Sequence, residues 1–292
     1  MRVLVVNAGS SSLKLRLVGP GDAVAAIRAV QAALPDVPAV ACFDTAFHAS
    51  LPPAAATYAL PRQWTARWGL RRYGFHGLSH SYAARRAREL VAADESARTV
   101  TCHLGAGASL CAVQDGRSVD TTMGFTPLEG LVMATRSGSV DPGLVLWLVN
   151  EAGLGAAEVG RMLEGASGLA GLSGTSGDAR EVLTRAREGD QPAVLAFAVY
   201  VHRLRREIAA MVAALGGLDV LVFTGGVGEH SPPVRAAAAA GLGFLGVALD
   251  GAANDATTAD GEIGAPDAGA RTVVVTARED LEIARQTRAA LT

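Results

Sequence analysis

Lys14 is the single lysine among 292 residues, and it closes a run, Asn7-Ala8-Gly9-Ser10-Ser11-Ser12-Leu13-Lys14, whose residue types suit an anionic ligand. Gly9 admits backbone geometries that a side chain blocks, Ser10 to Ser12 offer hydroxyl and N–H donors, and Lys14 adds a mobile positive charge. Apolar residues before it (3–6) and after it (15–18) predict a hairpin around a phosphate-sized gap. An ordinary hairpin turn uses the same residues for conformational reasons alone. Residues 99–113 repeat the pattern of strand, Gly/Ser turn and strand, with His103-Leu104-Gly105-Ala106-Gly107 at the bend. An internal repeat of this kind predicts two related halves facing one ligand.

Other clusters carry further chemistry. Arg71, Arg72, His76 and His80 fall within ten residues that also hold Gly74 and Gly77, just ahead of a helical run, so they predict cationic donors at a helix N-terminus. Taken singly, either histidine reads equally well as a hydrogen-bonded core residue. Asp44 follows an apolar stretch, where it could serve as a metal ligand, an acid, a base or a turn cap. Arg136 lies in a Gly- and Ser-rich loop, the setting of a guanidinium that clamps phosphate oxygens or of a solvated surface arginine. The run Thr224 to His230 places bare glycine backbone at a strand end, and Glu279 stands between the last strand and a C-terminal helix as a cap or metal ligand.

The elements that position these groups are read from periodicity. A helix is expected over 23–34, ended by Pro35, then a buried strand over 37–43 and an irregular stretch over 51–70. A helix follows over 81–92, then a meander of strands over 100–113 and 117–122 with Asp115-Gly116 as a hairpin turn. Asp141-Pro142 reads as a helix start, with helices over 145–151, 156–164 and 192–215, the last carrying Arg203, Arg205, Arg206 and Glu207 on a solvated face. Strands over 219–223 and 271–276 and a helix over 281–291 complete the chain.

Half of the residues are hydrophobic, enough for a sizeable core in one large or two medium domains. Twenty-six basic against 28 acidic residues give a net charge of -2, which argues against a nucleic-acid or acidic-membrane partner attracted by bulk charge. Cys42, Cys102 and Cys111 have no zinc spacing and fall in apolar, strand-like runs, as expected of buried free thiols in a reducing compartment. No signal-peptide or bilayer-length apolar run is visible, and the expected location is the cytoplasm.

Taken in order, Asn7 to Lys14, Phe43-Asp44-Thr45-Ala46-Phe47-His48, Arg72 to His80, His103 to Gly107, Thr135-Arg136-Ser137-Gly138, Gly225 to Glu229 and Arg278-Glu279-Asp280 resemble the acetate kinase family of ATP-dependent carboxylate kinases. The resemblance implies an α/β, duplicated ribonuclease-H-like (actin/hexokinase-like) fold of two lobes with the nucleotide between them. Residues 1–48 plus 281–292 would form a truncated first lobe and 49–280 the nucleotide-binding second. It further implies Asp44, His76 and Arg136 as catalytic groups and Asn7 and Glu279 at Mg²⁺ or Mn²⁺. Lys14, His103, Leu104, Gly105, Ala106, Gly107, Asp178, Ala179, Arg180, Gly226, Val227, Gly228, Glu229 and His230 would line the ATP/ADP site. A short-chain carboxylate such as acetate is the implied co-substrate, and a homodimer the implied assembly.

Three departures stand out. The chain has only 19–37 where the family carries a longer segment whose arginine binds the carboxylate. Ala106 and His230 each stand where the family has asparagine. Two readings follow, a working kinase with altered carboxylate recognition, and a shortened relative that binds nucleotide in a structural or regulatory role.

Overall fold

The computed structural model describes residues 28–29 and 32–292. The first hairpin, with Asn7 and Lys14, and most of the helix expected over 23–34 lie outside the described residues.

Six strands form one sheet: β1 (Thr99–Leu104), β2 (Ala108–Gln114), β3 (Arg117–Thr121), β4 (Val220–Thr224), β5 (Gly261–Glu262) and β6 (Arg271–Val274), in the order β3-β2-β1-β4-β6-β5. The meander β1-β2-β3 is antiparallel, whereas β1, β4 and β6 run parallel to one another. This mixed order is that of the ribonuclease-H-like lobe expected from the sequence. Asp115 (φ 51°) and Gly116 (φ 69°) make the β2–β3 turn with both dihedrals positive, which the right-handed twist of a two-residue hairpin favours.

Both faces of the sheet are covered, so its central strands are buried along their length. Alternation along β4 divides the core. Val220 and Val222 pack under Tyr82, Ala83, Ala87 and Val91, while Leu221 and Phe223 face the opposite core with Leu204 and Ile208. The first set belongs to the helix Gly77–Val91 and the second to Gln191–Leu215, whose buried residues recur every three or four positions as expected. The C-terminal helix Glu279–Leu291 lies against Gly77–Val91. There Glu282 is fully buried and accepts hydrogen bonds from Ser81, Arg285 and Gln286. Burial opposes its charge, but those bonds win and hold the carboxyl at about 2.

Several expectations are corrected. Residues 37–43 form no strand, and Val37 and Phe43 are 55% and 66% exposed, because apolar composition cannot make a strand without a neighbour to hydrogen-bond, and none pairs with it among the described residues. Cys42 is accordingly only partly buried, beside Ile283 and Thr287 of the C-terminal helix, while Cys102 and Cys111 are buried as expected. The stretch 51–70 contains the helices Pro53–Ala56 and Arg62–Trp68, whose prolines start the helices instead of breaking them. The helix expected from 81 begins at Gly77. The glycine-bearing run that follows β4 folds as a short helix, Gly225–His230, and Gly168–Ser173 forms another. Arg205 is not merely solvated, since it donates to the carbonyls of Ala237 and Ala238 in the last turn of the helix Pro232–Ala239.

Gly74 sits at φ 71°, and a Cβ there would stand 2.5 Å from the His48 ring. Gly189 has φ 86° with open space around it. We therefore expect Gly189→Ala to cost about 1 kcal/mol of backbone strain and Gly74→Ala several times more, since buried His48 must also move. Urea midpoints of the two variants against the wild type check this, and equal losses would contradict it.

Candidate functional site

The helix Gly77–Val91 is capped from 32 residues upstream. His76, its N-cap residue, has no side-chain capping bond and a left-handed backbone (φ 57°). Asp44 supplies the missing acceptors: Oδ2 accepts from the N–H of His76 (2.6 Å), Oδ1 from that of Leu78 (3.3 Å), and the main-chain oxygen from that of Gly77 (2.9 Å). The contact is so close that a Cβ on Gly77 would stand 2.2 Å from the Asp44 oxygen. Burial pushes the Asp44 carboxyl above its usual range, opposed by the hydrogen bonds from His76, Leu78 and Gly77. A left-handed non-glycine residue costs about 1–2 kcal/mol, and such strain persists where the surroundings enforce it.

The enforced turn brings His76 beneath the β1–β2 bend. Its ring stacks on His103 (4.3 Å between centroids), and its Nδ1 bonds to the Ser109 hydroxyl (2.8 Å). His80, one turn further along the helix, lies 2.7 Å from the hydroxyls of both Thr101 and Ser109, and His48 bonds to Ser118 Oγ (2.8 Å). Four of the six histidines thus share a layer between the helix and the β1–β2 hairpin, with His48 and His80 fully buried and His76 and His103 reaching the surface. Burial holds all four neutral, His48 and His103 at about 4 and the other two well below 6.5, with Arg136 and His103 adding to the shift of His76. The expected cationic cluster is therefore corrected. The histidines carry no charge here, and Arg72 is spent in an ion pair with Glu129 (2.7 Å) and bonds to the carbonyls of Thr122 and Met123.

Among the described residues, Arg136 is the cation beside the β1–β2 bend that stays available. Its guanidinium touches the sulfur of Met133 and has no carboxylate partner among the described residues. The loop that carries it is tied to the β1–β2 bend by the Ala134 N–H to Ala106 carbonyl bond (3.2 Å), and it is closed by a Met133 N–H to Arg136 carbonyl bond. Gly107 completes the geometry. Its missing Cβ would stand 3.4 Å from both His76 Nε2 and Arg136 Nη1, so glycine leaves open a space that a guanidinium fork and an imidazole both face.

The remaining expected residues flank this opening or lie apart from it. His103, Leu104, Gly105, Ala106 and Gly107 form the end of β1 and the bend, with the Gly105 N–H bonded to the Gly107 carbonyl. Gly226, Val227, Gly228, Glu229 and His230 belong to the short helix at the end of the parallel neighbour β4, seated on Leu104 through Gly225. Glu229 accepts from the Ala277 N–H (3.0 Å). Asp178 caps the helix Ala179–Arg187 and pairs with the exposed guanidinium of Arg180, next to Gly177, which packs on the Ala134 carbonyl. Glu279, partly buried, opens the C-terminal helix. No group of three or more His, Cys, Asp or Glu side chains among the described residues could hold a metal unaided. Asn7 and Lys14 lie outside the described residues.

Sequence reasoning missed Ser109, Thr101 and Arg235. The two hydroxyls alternate along ordinary strands and carry no signal of their own. Arg235 is fully buried, with its guanidinium on the carbonyls of Gly228 and Glu229 and on Asn254, so it anchors the C-terminal end of the Gly225–His230 helix.

The fold is α/β and of the actin/hexokinase-like class, with a site at the carboxyl ends of its parallel strands. Over 92% of this chain and 68% of its own, the crystal structure of the Porphyromonas gingivalis acetate kinase superposes with a TM-score of 0.89 at 38% identity. A propionate kinase from Francisella tularensis gives 0.85 at 38% identity over 91% of this chain and 68% of its own. The model of the acetokinase family matches residues 20–285. Acetate kinases of Nostoc punctiforme and a Synechococcus species are 50% and 52% identical over 90% of this chain, which spans 65% of the length of each. The chain belongs to the acetokinase family.

The neutral histidines make a pH prediction. Histidines of the unfolded chain titrate near 6.5, so between 6.5 and about 4 the unfolded state binds more protons than the folded one. Stability is fully present above 6.5 and is lost as the pH falls through that window, by roughly 3 kcal/mol for each of His48 and His103. Urea midpoints should fall steeply from pH 7 to 4.5, and less steeply for His48→Gln; a flat profile would contradict the assignment.

Proposed function

We propose that the chain transfers the terminal phosphoryl group of ATP, with a divalent metal, to a short-chain carboxylate such as acetate, reversibly and by direct in-line displacement. The observation that supports this most is the unpaired Arg136 guanidinium facing His76 across the bare Cα of Gly107. Phosphoryl transfer needs its three equatorial oxygens neutralised and its two partners aligned. A carboxylate is already an anion and needs no base, so positioning and charge are the whole task. In this reading Arg136 clamps phosphoryl oxygens, His76 meets one more, and Asp44 holds His76 in place through the helix cap. Residues 103–107, 178–180 and 226–230, with Lys14, line the nucleotide.

The oxygen donors of Asn7 and Glu279 suit Mg²⁺ or Mn²⁺, which proteins hold through one or two side chains plus substrate phosphates. When bound there, the cation supplies positive charge beside the phosphates. We assign residues 1–48 and 281–292 to one lobe and 49–280 to the other, so that the buried Glu282 to Ser81 bond (2.9 Å) joins them. The chain is soluble in this reading; no helix among the described residues is long and apolar enough to cross a membrane. A second copy of the chain is the proposed partner. The helix Pro142–Asn150 is apolar on every side and buries none of its residues, with Leu146 and Trp147 62% and 55% exposed.

Acyl phosphate trapped as the hydroxamate, formed from Mg-ATP and acetate, tests the reaction. We expect saturable product, and a kcat lowered about 10²–10³-fold in Arg136→Ala with an unchanged melt. No product from a protein that melts cooperatively would overturn the proposal. Saturation would turn the search for the carboxylate's partner to Arg28, Arg62 and Arg71. For the assembly, light scattering should give a dimer for the wild type and a monomer for Trp147→Asp.

A further inference from the structure

The hydroxyls between the histidines determine which ring nitrogen carries each proton. A hydroxyl has one proton to donate, and a neutral imidazole donates from one nitrogen and accepts at the other. The Thr101 hydroxyl donates to the main-chain oxygen of Cys111 (3.4 Å), which can only accept. It must then accept from His80 Nδ1 (2.7 Å), leaving a lone pair on His80 Nε2. That lone pair takes the proton of the Ser109 hydroxyl (2.7 Å), so Ser109 in turn accepts from Nδ1–H of His76 (2.8 Å). His76 Nε2 is left with its lone pair, on the side where Gly107 opens toward Arg136. In the reverse order the Thr101 hydroxyl gives its proton to His80 and the Thr101 to Cys111 bond is lost, so the buried chain holds one hydrogen bond fewer.

We propose that Ser109, and through it His80 and Thr101, are positioning residues that hold His76 as its Nδ1–H tautomer and present the Nε2 lone pair to the phosphoryl-binding opening, so that an anion beside Arg136 is bound with a proton between it and Nε2. The proton arrives on the phosphate as a P–OH or is taken from solvent by Nε2. In both cases the Nδ1–H bond to Ser109 persists and the ring does not turn. The tautomer stands on the hydrogen bonds alone, while its role toward phosphate rests on the proposed kinase reading.

The test is the ¹⁵N spectrum of the histidine side chains in the whole protein at neutral pH, with His76→Gln to assign the signals. The wild type should show His76 with a protonated Nδ1 and a bare Nε2; a protonated Nε2 would overturn the proposal. Thr101→Val removes a hydroxyl that does not touch His76, and Ser109→Ala removes the one that does. Both should shift the His76 population toward Nε2–H, and whichever variant retains a cooperative melt serves as the readout. An unchanged tautomer would overturn the chain of control. Inorganic phosphate added to the wild type should shift the His76 Nε2 signal, to that of a protonated nitrogen where the ring takes the proton and by a smaller amount where a P–OH donates to it. No response of His76 to phosphate would overturn its role in the opening, and the kinase reading with it, while the tautomer result would stand by itself.

Discussion

The site hangs on one carboxylate. Asp44 takes the hydrogen bonds of the first N–H groups of the helix Gly77–Val91, groups that a helix leaves orphaned and that its own N-cap residue, His76, does not serve. A charged acceptor at a helix N-terminus is stabilised by the helix dipole as well as by the bonds it receives. The interaction lets His76 adopt a left-handed backbone that would otherwise be unfavourable, and this conformation turns the imidazole under the β1–β2 bend. Everything that follows in the site, from the stacking on His103 to the opening over Gly107, inherits its position from that turn.

Around this anchor the protein separates charge from polarity. The histidine layer is neutral, its inward nitrogens held by Ser or Thr hydroxyls or a main-chain oxygen, so it contributes orientation without contributing cations. Among the described residues, the positive charge facing the opening is that of Arg136, a guanidinium with no carboxylate partner. Other arginines near the site are committed: Arg72 to Glu129, Arg180 to Asp178, Arg235 to main-chain oxygens. A guanidinium without a carboxylate, half-buried beside a bare glycine, is the residue with binding capacity to spare.

Relatives at about half identity match 90% of this chain, and its described residues form one six-stranded sheet with helices on both faces. The C-terminal helix is seated on the helix Gly77–Val91 through buried Glu282, which four neighbouring side chains satisfy. The resemblance read from the sequence implies that the family's extra segment lies ahead of Asp44. That is also where 37–43 lacks a strand neighbour among the described residues.

Much was legible in the sequence because it depends on neighbours along the chain. The strands β1, β2, β4 and β6, the Asp115-Gly116 turn and the long helix Gln191–Leu215 follow from local periodicity and turn chemistry, and the glycine-bearing motifs marked Asp44, His76, Gly107 and Arg136 as one family's set. Only the tertiary structure decided what those groups are doing. Asp44 caps a helix 32 residues away, His76 and His80 lose their charge to burial, Arg72 is paired while Arg136 is not, and Ser109 acquires a role that its place in an ordinary strand never announced. Each depends on which distant side chain stands within 3 Å. Local propensity cannot encode that contact, and desolvation and hydrogen-bond direction cannot act without it.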